Sequence, residues 1–244
     1  MIFQSLISAQ IKLAPFLSAF TIIRSNAQVR LPPKTVIMSF DDGPNPAHST
    51  TERLLYMLKK YTVKAHFSLI GKNIELYPEI TRSIALEGHS IANHGYGHLF
   101  PLNTTKTMME QDIKLWEETI HYVLGNGCID SRFYRPPYGI YGFSMSKIIR
   151  EHGFKLLPVS FYTMDAEYGP SRINTIVKRT IEGVTYMKGG IIVLHDGKDI
   201  HGDLLYSNDP DSKHNRSWIP EAAEIIINNF KNKGYQFALL DDFL

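Results

Sequence analysis

The stretch "IMSFDDGPNP", Ile37–Pro46, governs how the chain is read. The apolar residues from Val36 to Phe40 suit a buried strand. That strand runs straight into two adjacent carboxylates, Asp41 and Asp42, and Gly43-Pro44 then stops it continuing as strand or helix. Two like charges at the mouth of a core repel each other, so the pair calls for a cation or another partner. Taken alone, the stretch also fits a turn in which one Asp caps a helix.

Outward from this strand, short apolar segments alternate with longer helical ones. Ser49–Tyr61 carries Leu54, Leu55 and Leu58 on one face behind a Ser/Thr start, and reads as a capped helix. "VKAHFSLIG" reads as strand, "YPEITRSIALEG" as helix, "HSIANHG" as strand, and Thr105–Gly125 as the longest helix. Beyond these, "RFYRPPYG" is a strand end, "SMSKIIREHG" a helix, "FKLLPVSF" a strand and "INTIVKRTIEGV" a helix. "GGIIVLHDG" is a buried strand, "IPEAAEIIINNFKNKG" a helix, and "YQFALLDDF" a last strand. Such alternation predicts a parallel sheet with crossover helices, either open or closed into a barrel. The polar residues choose between the two. Asp41, Asp42, His94, His98, Arg135, Asp165 and His195 all fall at or just past the C-terminal ends of strands, the catalytic face of an α/β barrel.

Composition narrows the function classes. A chain of 244 residues with 43% hydrophobic content is long enough for one large α/β domain. With 26 basic against 24 acidic residues there is no electrostatic case for nucleic-acid binding. Cys128 is the only cysteine, so neither an intramolecular disulfide nor a Cys-rich zinc site can form. Near the N-terminus, Leu13–Ile23 is apolar but too short to span a bilayer, and Ser25 and Ala27 suit a secretory cleavage site. Residues 1–34 therefore read as a leader, cleaved or kept as a loose anchor, or as a helix or arm packed on the domain. No other stretch is apolar enough to cross a membrane. Sequons at Asn103 and Asn215 matter only in a secreted eukaryotic setting.

The motifs carry the chemistry. In "NHGYGH", Asn93–His98, two imidazoles spaced by three residues face one way if the segment makes a helical turn; otherwise one caps a helix and the other is surface. With Asp42 they would make an Asp-His-His set that leaves coordination positions open on a divalent metal. Zinc fits best, with cobalt or nickel also suited to these ligands. In "RPPYG", two prolines stiffen the strand end that aims Arg135 at a carboxylate. In "IVLHDG", His195 ends the most hydrophobic strand. A lone His there would be a core residue; beside a metal site it is a candidate general acid.

In this order, "SFDDGP", "HGYGH", "RPPYG" and "VLHDG" resemble the polysaccharide deacetylases of carbohydrate esterase family 4, the NodB-homology domain. The resemblance runs from about Thr35 to the C-terminus. It implies a distorted (β/α) barrel, here of about seven parallel strands in a single domain over residues 35–244, and metal-dependent removal of acetyl groups from sugars. It further implies Asp41 as base, Asp42, His94 and His98 as metal ligands, Arg135 as the residue orienting Asp41, and His195 as acid. Pro137, Tyr138, Tyr168 and Leu194 would contact the substrate.

Three departures stand out. Gly95 follows the first His where the family carries Ser or Thr. His66 and Ser68 replace residues of the second strand, which reads as a packing change. The fourth motif, "TMDAEYG", is one residue short, so Asp165 and Glu167 compete as partner of His195, with Asp165 favoured. The expected partner molecule is an acetylated polysaccharide or oligosaccharide, met by a monomer that is secreted, periplasmic or at the cell surface. Chitin oligomers, peptidoglycan and acetylxylan all present the same acetyl group, and the loops Gly71–Tyr77, Phe100–Thr105 and His201–Ser217 would decide among them. A barrel that binds sugar without turnover, and a metal hydrolase of other amides, are the alternatives.

Overall fold

The computed structural model describes residues 20–22, 31–125, 133–198 and 206–244. The leader reading rests on residues that lie outside these, save for a short strand β1 (Phe20–Ile22) paired antiparallel with Ile140–Gly142. The other strands are β2 (Thr35–Gly43), β3 (Ala65–Leu69), β4 (Ser90–Asn93), β5 (Phe133–Tyr134), β6 (Ile140–Gly142), β7 (Lys155–Leu156), β8 (Phe161–Tyr162), β9 (Gly189–His195) and β10 (Gln236–Phe237). Seven of them form one sheet in the order β7-β5-β4-β3-β2-β9-β8, every pair parallel, curled into a half-barrel, and β10 joins the start of β2.

Helices α1 (Thr50–Lys60), α2 (Gly71–Leu76), α3 (Pro78–Leu86), α4 (Lys106–Leu124), α5 (Phe143–Glu151), α6 (Ile173–Met187) and α7 (Ile219–Asn232) follow the strands. Strand alternation divides the core in two. Val36, Met38, Phe40, Phe67, Leu69, Ile192 and Leu194 belong to the large cluster shared with helical residues such as Leu54, Trp116 and Ile226. Ile37, Ala92, Phe133, Leu157, Ile191 and Leu240 form a smaller cluster on the inner side. A fully buried Leu or Phe contributes about 1.5–3 kcal/mol. The outer layer is therefore the main source of stability, which leaves the barrel interior free to carry polar groups.

Three elements differ from expectation, each for a local reason. "FKLLPVSF" is two strands: β7 pairs with β5 at one margin and β8 with β9 at the other. Pro158 has no N–H to give to a ladder, so the chain breaks there and crosses the open side of the barrel. "YQFALLDDF" stops being strand after Phe237 and turns into a 3-10 helix, Leu240–Phe243, which buries Leu240 against the inner cluster. The start of α1 lacks the expected cap: Ser49 is left-handed with no side-chain bond, and the Thr51 hydroxyl is drawn instead to Asp196.

Candidate active site

Adjacent residues on a strand point to opposite faces, so Asp41 and Asp42 can share one site only if the strand is interrupted. It is: the β2–β3 register shifts between Asp41 and Gly43, and Asp42 has φ 72, in the left-handed region. Asp41 stays in the ladder, level with His195 on β9, while Asp42 turns toward the end of β4. The Asn73 amide holds this turn by donating to the Asp42 carbonyl at 2.8 Å. On the other side Gly197 lies so close that a Cβ there would come within 2.0 Å of the same carbonyl oxygen. His98, Tyr138 and Met164, close to the same site, are also left-handed.

The two imidazoles come together, but not on a helical turn. His94 directly follows β4, Gly95 has φ +75, and an irregular loop returns His98 to the same side. The rings sit 4.9 Å apart. Asp42 Oδ1 is 3.1 Å from His94 Nε2 and 3.4 Å from His98 Nε2, and one ligand atom from each residue lies within 4.8 Å of the others. His94 Nδ1 donates to the Arg135 carbonyl at 2.7 Å. Its Nε2 then presents a lone pair to a carboxylate oxygen, an arrangement that a cation between them satisfies. The residues therefore fit a divalent metal. Burial opposes the Asp42 charge; when no cation is bound and the rings carry protons, His98, His94 and His195 hold its carboxyl well below the usual range.

Arg135 is buried at 1% exposure and serves both halves of the site. Its carbonyl anchors His94, and its Nε lies 3.4 Å from Asp41 Oδ2. The rest of the guanidinium is fixed by donation to the Ser39 hydroxyl at 2.9 Å and the Pro158 carbonyl at 3.2 Å. Asp41 Oδ1 is buried and has no hydrogen-bond partner among the described residues, so one oxygen is held while the other keeps its lone pairs for a proton.

His195 faces Asp165, with Nδ1 3.0 Å from Oδ1, and its backbone N–H donates to Oδ2 at 2.6 Å. Thr163 also donates to Asp165 Oδ1. Glu167 forms no such contact; it lies in the 3-10 turn Asp165–Glu167 that leads away from the strand end. Burial works against the imidazolium, but the Asp165 charge and hydrogen bond, then Asp42 and Asp41, outweigh it and lift the His195 pKa to about 9. Burial likewise opposes the Asp165 charge, and His195, Arg216 and Thr163 pull its pKa below the ordinary carboxylate value.

Around this centre Tyr138 is 45% exposed and its ring packs at a tilt 4.7 Å from that of His98, with Phe100 edge-on at 5.1 Å. Pro137 is buried in the turn that presents Tyr138. Tyr168 is half-buried against the outer core cluster. Leu194 is a correction: expected at the substrate, its side chain is fully buried among the outer core residues, because His195 faces inward and its strand neighbour must face the helices. His66 is structural. It accepts the Leu240 N–H at 2.9 Å, and burial, helped by Arg135, depresses its pKa to about 3.

Sequence reasoning missed several residues. Tyr162 stands edge-on to His195 at 6.0 Å. Arg216, buried, donates to the carbonyls of Asp165 at 2.9 Å, Ala166 at 3.3 Å and Gly197 at 3.3 Å, joining the two loops that carry the His195 pair. A lone Arg in a polar loop gives no periodic signal. An Arg just before an apolar helix, in a loop already suspected of shaping the site, was the only hint. Asn73 and Asp112, on helices beside the site, gave none.

The polysaccharide deacetylase family model matches residues 28–157, more than half of the chain. The chain belongs to the polysaccharide deacetylase family. The peptidoglycan-N-acetylglucosamine deacetylase of Bacillus cereus is 27% identical over 215 residues, covering 86% of this chain and 88% of that protein. The chitooligosaccharide deacetylase of Azorhizobium caulinodans is 27% identical over 177 residues, 72% of this chain and 80% of that one. Among solved structures, a peptidoglycan N-acetylglucosamine deacetylase bound to 4-naphthalen-1-yl-N-oxidanyl-benzamide superposes with TM-score 0.70 at 28% identity, over 88% of this chain and 90% of its own. The half-barrel of this polysaccharide deacetylase family member is thus the fold of those enzymes.

Proposed function

We propose that the protein hydrolyses acetyl groups from an N-acetylglucosamine-containing polymer of the chitin or peptidoglycan type, using one divalent metal, zinc best, held by Asp42, His94 and His98. The observation that carries this reading is the placement of Asp41 and His195, register partners on neighbouring strands, side by side at the face that carries the Asp-His-His cluster. The names of the relatives support the sugar class.

A cation bound there would polarise the acetyl carbonyl and acidify water. The protein's own residues handle the protons. Asp41, its Oδ2 paired with Arg135, takes a proton from the attacking water on the uncommitted Oδ1. His195 meets the leaving nitrogen already protonated, because its pKa lies above neutrality, and gives up its Nε2 proton while Asp165 holds Nδ1. Tyr138 on the metal side and Tyr162 on the acid side offer rings for a sugar to stack against. Such a substrate lies outside the cell membrane, and we place the protein there, at the cell surface or secreted, as a monomer.

The test is acetate release from chitin oligomers, peptidoglycan and acetylxylan, with and without a chelator. Chelator-sensitive release from the first two, restored by Zn2+, supports the reading. Release that survives metal removal, or none from any acetylated glycan, overturns it.

A further inference from the structure

We infer that Asp112, on α4, is the positioning residue for the loop that presents both imidazoles, and so sets the affinity of the metal site without touching the metal. The inference rests on the metal-site reading above. Asp112 is buried and aims its carboxylate into the turn between His94 and His98. Oδ2 accepts the Tyr96 N–H at 2.9 Å and Oδ1 accepts the Gly97 N–H at 2.7 Å. The preceding Gly95 N–H goes to Asn93 Oδ1 at 2.7 Å. Three successive amides are thus fixed by side-chain oxygens, two of them on one carboxylate, and an anion accepting several amides is a strong, directional anchor. The carbonyls of the same turn are held as well: Gly95 and Tyr96 accept from Gly71 and Lys72 at the start of α2, at 2.9 and 3.1 Å. Rotation of this turn would separate His94 from His98.

Gly95 and Asp112 form one arrangement. A Cβ on Gly95 would lie 2.5 Å from Asp112 Oδ2, and the residue sits at φ +75, where a side chain is strained in any case. The carboxylate fills the space that a side chain at 95 would need. This explains physically how the chain does without the hydroxyl residue expected after the first His.

The expected effect of Asp112→Ala is a loss of about 10–100-fold in Zn2+ affinity, the usual scale for removing a residue that orients a ligand. Zn2+ affinity is read by competition with a chromophoric chelator, and the visible spectrum of the Co2+-loaded protein reports ligand geometry directly. Asp112→Asn keeps the shape and one acceptor oxygen, so it should fold normally and give an intermediate loss; it carries the test if the alanine variant does not fold. Gly95→Ser alone should weaken Zn2+ binding by clashing with Asp112, and in the Asp112→Ala background it should cost less than it does alone. A merely structural Asp112 would lower the melting temperature of the metal-free protein while leaving Zn2+ affinity and the Co2+ spectrum as in the parent. That result, or simple additivity of the Gly95 and Asp112 effects, overturns the inference. A parent that binds Zn2+ but deacetylates nothing removes the functional reading and leaves this one standing; a parent that binds no Zn2+ removes both.

Discussion

Asp165→Asn tests the proposed acid half of the site most sharply. The substitution keeps the side chain's shape and one acceptor oxygen but removes the charge that, by attraction and hydrogen bond, does most to lift the His195 pKa to about 9. Burial, the largest single influence and opposite in sign, stays in place. Without Asp165 the imidazole should therefore fall to its ordinary value of about 6.5 or below, a change of at least ~2 pKa units, or ~3 kcal/mol. A bound cation beside Asp42 and Asp41 would offset their share of the lift in both proteins, so the comparison isolates Asp165. At pH 8 an acid of pKa about 9 is ~90% protonated and one of 6.5 only ~3%, so kcat at pH 8 should drop on the order of 30-fold and recover toward pH 6. The assay is kcat against pH for acetate release, metal content checked at each point. Stability follows the same sign. His195 gains protons on folding, so its contribution is complete below about 6.5 and fades as pH rises toward about 9, and the metal-free parent should lose more melting temperature over that window than Asp165→Asn. An unmoved basic limb in Asp165→Asn with metal bound, or a limb moved instead by Glu167→Gln, refutes the reasoning.

Asp41→Asn should lower kcat by about 10²–10⁴-fold, the scale of a lost general base, while Zn2+ titration stays stoichiometric; near-parental turnover would remove Asp41 from the mechanism. His98→Ala, by contrast, should lose the metal itself, measured by elemental analysis after gel filtration. Leu194→Ala should cost about 2–5 kcal/mol in denaturant unfolding with little change in KM, since its side chain packs in the core rather than on substrate; a KM effect without a stability effect would restore it to the binding surface. Asp196 is buried beside Thr51, and burial, with the Asp42 and Asp41 charges, raises its pKa to about 7. Its folded form holds a proton that the unfolded chain gives up, so stability is lost as pH rises toward and through 7, and Asp196→Asn should raise the melting temperature more at pH 8 than at pH 5.

The layers legible in the sequence were those written in periodicity. β2, β3 and β9 are long enough for the apolar run to show, and α4 and α7 carry their faces and their Thr105 and Pro220 starts openly. Strands of two residues, such as β5, β7 and β8, carry no period, and only neighbours define them. The Asp-Asp pair announced a site, but periodicity placed its members on opposite faces; the bulge that reunites them depends on backbone angles at Asp42 that no spacing rule encodes. The same limit hid Asp112 and Arg216. Each acts on backbone amides or carbonyls of a distant loop, so the residue it serves leaves no mark in its own sequence neighbourhood.

The irregular features of this barrel have a common logic. A regular eight-fold barrel fills its interior with aliphatic layers, whereas here Ser39, Asp41 and Arg135 occupy inward positions and must be satisfied by something other than side chains of their own kind. Pro158 supplies part of the answer. By breaking the strand it leaves the sheet unclosed on one side, and its carbonyl, unable to serve a ladder at that point, accepts from Arg135. Ser39 supplies another part, accepting from Arg135 while donating to the Ile192 carbonyl of β9. The guanidinium is thereby immobilised on three sides, and its own carbonyl fixes His94. Asp41, the proposed base, and His94, the proposed metal ligand, are then both held against one buried residue, which fixes their relative placement, the quantity on which attack at a single carbonyl would depend.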